Sequence, residues 1–117
     1  MHELSIALSI VEIVQEEAET RGEFGFEVCA IHLKLGQLAG VVKEALLSSF
    51  ALACEQTPLH GSRLVIEEVP VKILCPNCRE QRPVRSLQWL CCAECGTPAS
   101  DILEGREIYL TALEVKP

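Results

Sequence analysis

Two stretches of this chain carry residues whose types and spacing could do chemistry. The longer runs from Cys75 to Cys95 and reads CPNCREQRPVRSLQWLCCAEC. Cys75 and Cys78 form one C-x-x-C pair, and Cys92 and Cys95 form a second, at a spacing close to that of a four-cysteine zinc module. Two intervening residues let a tight turn aim both sulfurs at one ion. Two such turns facing each other build the tetrahedral thiolate cage that Zn²⁺ takes in structural sites. With all four positions filled there is no place for water or substrate, so a metal held there builds a fold and does no chemistry. Iron is the rival ion, because paired knuckles of this kind also suit a tetrahedral iron site. Cys91 adjoins Cys92, but only Cys92 leaves two residues before Cys95. Cys92 is therefore the expected ligand and Cys91 a spare thiol or weak alternative.

The shorter stretch is the start, Met1-His2-Glu3. A histidine in second place sets its imidazole beside a free α-amine, and its own peptide nitrogen can complete linked chelate rings once a metal displaces the amide proton. Three nitrogens with a carboxylate oxygen from Glu3 make the tetragonal set preferred by Ni(II) or Cu(II). Amine and imidazole must both be deprotonated to bind, so affinity weakens as pH falls through their titration range. That property suits a carrier that must let go. A histidine near a chain start is more often a solvated accident. Here the predicted helix begins at once, and a second metal site lies in the same short chain.

The remaining reactive residues have plainer readings. Cys29 and Cys54 fall within apolar patterns and are expected in the core. His32, on the polar side of a strand, and His60, in a turn, are expected on the solvated surface, as are Glu16, Glu17 and Glu19 along a helix. Trp89 is expected beside the knuckles, shielding their sulfurs. No nucleophile with a matched base, glycine-rich phosphate loop or spaced carboxylate pair is present, so an enzyme is not expected.

The elements that must position these groups follow from periodicity. Leu4, Ala7, Leu8, Val11, Val14 and Ala18 recur at helical spacing, with a stop expected near Gly22. FEVCAIHLKLG alternates as a half-buried strand. Val42, Ala45, Leu46, Ser49, Phe50 and Ala53 share one face of a second helix, SRLVIEEVP reads as a second strand, and REIYLTALEV as a third. The expected class is α+β: a small mixed three-stranded sheet covered by two helices, with an inserted four-cysteine zinc-ribbon-like module. Residues 1–70 with 105–117 form the first domain. Residues 71–104 form a zinc-binding domain inserted between strands two and three, which can pair as the legs of a long hairpin.

Composition narrows the setting. The chain has 117 residues, enough for one modest core and a small appendage. An apolar fraction of 49% with a mean hydropathy of +0.25 describes a globular chain. Seventeen acidic against ten basic residues give a formal charge of -7, which opposes nucleic-acid binding. Seven cysteines, an odd count with four at ligand spacing, fit a reducing compartment better than a disulfide framework. The apolar run from Leu4 to Val14 lacks a basic start and a cleavage site, and it is too short to span a bilayer. The expectation is a soluble, cytoplasmic protein, monomeric or weakly homodimeric, without membrane insertion.

The start MHE, the block LGQLAGVVKEALLSSFALACEQTPLHGSRLVIEEVP and the knuckles CPNC and CAEC together resemble the HypA/HybF hydrogenase maturation factors, across essentially the whole chain. Gly36, Leu38, Val41, Thr57, Gly61, Leu64, Ile66, Glu67 and Pro70 carry that pattern in the middle block. The resemblance implies a nickel metallochaperone that helps insert Ni²⁺ into the large subunit of [NiFe]-hydrogenase, working with a GTP-hydrolysing partner of the HypB type. It further implies nickel on Met1, His2 and Glu3, and structural zinc on Cys75, Cys78, Cys92 and Cys95. Some members of the family also serve urease maturation. The departures are the extra thiol of Cys91, and Ser49 and Ala51 flanking Phe50 where a second aromatic is expected nearby.

Overall fold

The computed structural model describes residues 2–20 and 27–116. Its elements are α1 (Glu3–Thr20), β1 (Glu27–Gly36), α2 (Lys43–Cys54), β2 (Arg63–Val69), β3 (Lys72–Cys75), β4 (Glu80–Pro83), β5 (Asp101–Glu104) and β6 (Ile108–Lys116). Two compact units divide the chain: Met1–Leu33 with Val41–Ile66 and Leu110–Pro117, and Lys34–Gly40 with Glu67–Tyr109.

In the first unit α1 and α2 pack on each other. The buried stripe of α1 is Glu3, Ala7, Ile10, Val11 and Val14, recurring every three or four residues. Leu4 and Leu8, expected on that stripe, are 43% and 51% exposed. The apolar arc of α1 is wider than the contact available to it, and burial follows the line through Ile10. The stop expected near Gly22 lies outside the described residues. On α2 the buried residues are Leu46, Phe50, Ala53 and Cys54, while Val42 is its exposed N-cap residue. The helix closes through Thr57, whose hydroxyl donates to Cys54 O at 2.6 Å and accepts from Leu59 N at 3.1 Å.

The larger sheet has the order β2-β1-β6, so the expected hairpin between the second and third long strands, β2 and β6, does not form. The reason is the burial of β1: Val28, Ala30, Ile31, Leu33 and Leu35 are buried at both parities. A strand covered on both faces belongs in the middle, not at half-buried depth. β6 is exposed along most of its length and takes an edge. Ser62 Oγ donates to Val28 O at the starts of β2 and β1, and Gln37 N donates to Val69 O just past their ends, so these strands run parallel. A right-handed crossover through α2 is the usual way to connect such a pair. Along β6 the direction reverses, since Gly36 N donates to Glu107 O and Thr111 Oγ1 donates to His32 O.

The second unit contains more regular structure than the cysteine spacing suggested. Its sheet has the order β4-β3-β5, with both neighbours antiparallel to β3. Val71, Ile73, Cys75 and Cys92 form its buried centre, and Val84, Leu90, Ala99 and Ile102 pack against them. Gly36 and Gly105 meet backbone to backbone: a Cβ on Gly36 would lie 2.4 Å from the Gly105 carbonyl carbon. Among the described residues no helix is long and apolar enough to cross a membrane.

Gly36→Ala is therefore expected to destabilise the fold by about 1–3 kcal/mol, the usual cost of forcing an atom into packed backbone. Gly61 has φ +89, but a Cβ added there would meet nothing within 4 Å, so Gly61→Ala costs only left-handed strain, about 1 kcal/mol. Chemical denaturation midpoints of the two variants check the order.

Candidate metal centre

Both knuckles use one backbone device. After Cys75, at the end of β3, Arg79 N donates to Cys75 O at 2.8 Å, and after Cys92 Gly96 N donates to Cys92 O at 2.8 Å. The donating residue has positive φ in each case, 59° at Arg79 and 79° at Gly96. Glycine adopts this conformation freely, whereas arginine pays for it. Cys78 N also donates to Cys75 Sγ at 3.3 Å, holding the first sulfur toward the turn.

The turns bring four sulfurs together. Cys75 and Cys95 are 3.5 Å apart, Cys78 and Cys95 3.7 Å, and Cys78 and Cys92 3.9 Å. All four lie within 4.8 Å of one another. Metal–sulfur bonds of ~2.3 Å in a tetrahedron require sulfur separations of about 3.8 Å, so the set fits a tetrahedral thiolate-bound ion. Cys75 and Cys92 are fully buried, and Cys95 is exposed. Cys91, buried at 4% exposure, stands outside the group.

Trp89 does not shield the sulfurs; it is 70% exposed. The hydroxyl of Ser86 accepts from both Gln88 N and Trp89 N, turning the loop so that the indole faces water. The aliphatic side chains packed against Cys75 and Cys92 give the cover expected of the tryptophan.

The thiols are electrostatically unequal. Thr97, through its hydroxyl and its backbone, and then Asn77 lower Cys95 to about 5. For Cys78 the largest single influence is Arg82, which pulls it down. Cys95, burial, Cys75 and Cys92 together outweigh that pull and push Cys78 up to about 11. An ion held on all four sulfurs would displace their protons, so its binding weakens as pH falls. Thr97 and Arg82 stand apart from the C-x-x-C pattern, and spacing alone carried no signal for either.

At the chain start, Met1 lies outside the described residues. His2 is exposed, and its carbonyl accepts from Ile6 N at 3.0 Å, the first bond of α1. Glu3 is buried and its carboxylate accepts from Val42 N at 3.2 Å. Val42 precedes α2 and brings no side-chain cap of its own, so Glu3 supplies an acceptor and negative charge at the positive end of that helix. The Val42 N–H holds the Glu3 carboxyl below the usual carboxylate range. An acid on the buried stripe of an amphipathic helix was the available sign of this contact.

Two other expectations change, and two hold. His32 is half-buried and paired with Glu114 across the sheet, not free in solvent. Cys29 is only partly buried: it lies near the start of β1, beside exposed Glu27, ahead of the buried Ile31, Leu33 and Leu35 on the same side. Cys54 is core, and burial pushes its thiol up. His60 is exposed in its turn, as expected.

Residues 1–115 match the protein family described as hydrogenase/urease nickel incorporation, metallochaperone, hypA. The hydrogenase maturation factor HypA of Chloroflexus aurantiacus is 46% identical over 114 residues, covering 97% of this chain and 98% of that one. The factor of the same name from Geobacter metallireducens is 38% identical over 116 residues, covering 99% and 100%. The solution structure of the Ni metallochaperone HypA from Helicobacter pylori shares the fold, with a TM-score of 0.66 at 23% identity over 97% of each chain.

Two outcomes follow from this geometry. Cys92→Ser abolishes stoichiometric metal at the knuckles while Cys91→Ser keeps it, as metal analysis of the purified variants will read. The bond from Val42 N makes the Glu3 contribution to stability fully present above the ordinary carboxylate pKa and lost as pH falls through the lowered value. Glu3→Gln keeps an acceptor without the titration, so its denaturation midpoint falls less than wild type on acidification.

Proposed function

Because the chain belongs to the HypA family of hydrogenase/urease nickel-incorporation metallochaperones, we propose that it carries Ni²⁺ on Met1, His2 and Glu3 for maturation of the [NiFe]-hydrogenase large subunit. Metallochaperones are carriers and not enzymes, in line with the missing nucleophile and base. Zinc is the structural ion of Cys75, Cys78, Cys92 and Cys95. The observation that supports a tetrahedral ion there is three sulfur separations of 3.5, 3.7 and 3.9 Å, near a tetrahedron's edge. In this reading residues 1–70 with 105–117 handle nickel, and residues 71–104 hold zinc.

The chain start can serve cargo for a physical reason. The first N–H groups of a helix have no acceptor within it. A metal can therefore displace the peptide proton of His2 without breaking the helical ladder that starts at its carbonyl. The exposed imidazole closes the chelate, and Glu3, kept ionised by Val42 N–H, adds negative charge beside it. Nickel bound on an exposed end leaves by ligand exchange, whereas an ion in a closed thiolate cage stays. The partners of this transfer are a HypB-type GTPase and the hydrogenase large subunit in the cytoplasm, with urease maturation as a second destination. A monomer or weak homodimer without nucleic-acid or membrane affinity suits that role, and the formal charge of -7 agrees with it.

Acetylation of Met1, or His2→Ala, is expected to abolish stoichiometric nickel binding in calorimetry while zinc content and circular dichroism stay unchanged. Equal nickel affinity in these variants removes the N-terminal site. A red, iron-containing preparation would replace zinc by iron at the knuckles.

A further inference from the structure

β5 is an outer strand of the second unit's sheet, with β3 on one side only. Its other side is covered just ahead of its start. Ala99 N donates to Leu90 O at 2.9 Å, and the next donor, Ser100 N, goes to Leu74 O at 3.1 Å. Consecutive donors of an extended chain point to opposite sides, so Leu90 and β3 flank this segment from opposite sides. The outer pairing stops there. Before Leu90 the chain turns away, with Trp89 N donating to Ser86 Oγ at 3.2 Å, and β5 has no strand beyond it. A hollow of about 310 Å³ lies at this notch, lined by Leu90, by residues 98–102 and by Arg106. That volume is at the lower end of the range for ligand sites, about 300–1,000 Å³. Because consecutive residues line it, the hollow follows the backbone and not one face of the sheet.

Leu90, Ala99 and Ile102 give the hollow apolar walls, packed from behind on the buried centre of the unit. Two of its polar groups are turned to backbone: Ser100 Oγ donates to Leu74 O at 3.2 Å, and Asp101 Oδ1 accepts from Ile102 N at 2.9 Å. The third is uncommitted. Arg106 is exposed, and among the described residues its guanidinium has no hydrogen-bond or ion-pair partner. We propose that this edge docks an extended segment of a partner protein, which adds a strand to β5, sets an aliphatic side chain in the hollow and places an acidic side chain on Arg106. Asp101 repels an acid from the opposite end, so the two charges give the segment a direction. A second copy of this chain fits poorly: full antiparallel pairing of DILE with itself opposes Asp101 to Glu104 twice, and like charges directly opposite destabilise a pair. β5 has only four residues, so backbone bonds alone hold little, and selection falls to the hollow and Arg106.

The test titrates the full, isotope-labelled chain with a hexapeptide of alternating valine and threonine carrying one glutamate, blocked at both ends, and follows amide shifts. Shifts are expected to concentrate on residues 99–106. Glutamine in place of the peptide's glutamate, or Arg106→Gln in the protein, is expected to weaken binding about threefold to fivefold, the scale of an exposed ion pair. The two changes together add nothing further, since they remove one contact. N-methylation of alternate peptide amides weakens binding about 10-fold for one edge of the peptide and little for the other. No shifts at several millimolar peptide, shifts centred elsewhere, equal affinity for both N-methylated forms, or indifference to Arg106→Gln each overturn the proposal. Butyrate giving the same shifts at equal concentration also overturns it, making the hollow a small-carboxylate site. So do shifts that change on dilution without peptide, which make the occupant a second copy. Should Arg106→Gln not fold, the glutamine peptide on the unaltered chain reads the same charge. Nickel and zinc contents of the same samples report separately on the proposed function, which this inference goes beyond.

Discussion

The second unit depends on four sulfurs converging within 4.8 Å. Its three strands have four residues each, and its buried centre is Val71, Ile73, Cys75 and Cys92, two of which are knuckle cysteines. So little apolar area cannot offset the backbone entropy of ordering the segment. In modules of this kind the metal–thiolate bonds supply folding free energy directly. The knuckle turns and the positive φ at Arg79 and Gly96 are arranged around that cluster. The first unit is organised differently, by a two-helix contact and by a central strand buried on both faces.

How much of this was legible in the sequence depended on the range of the interaction. Local chemistry was readable: C-x-x-C spacing selected Cys92 over Cys91, and apolar periodicity located both helices and the three long strands. Segments too short for a period were missed, since EQRP contains no large apolar residue and DILE sets its two apolar residues side by side. Contacts between distant residues were also out of reach. Glu3 with Val42 and His32 with Glu114 are separated by 39 and 82 positions, and no spacing rule joins them. Trp89 failed for another reason: a large aromatic beside cysteines suggests cover, but Ser86 turns its loop outward.

Glu3 ties the first helix to the start of the second. Its position at the first turn of α1 suits the helix dipole, and its carboxylate also satisfies a backbone donor ahead of α2. A chain start is ordinarily a frayed end, held only by its neighbours in sequence. Here the third residue is buried and bonded to another helix. His2 thereby departs from ordered structure rather than from a loose tail, which would reduce the entropy lost in closing the proposed chelate.

The pairing of β1 with β6 has a bearing on synthesis. Thr111 bonds to His32 across 79 positions, so the third strand of the larger sheet emerges after everything it encloses. On a ribosome, β1 waits with one edge bare until the cysteine segment has been made. Cross-linking that segment through its sulfurs shortens the effective tether over which the C-terminal strand must search, and loop-closure entropy falls with tether length.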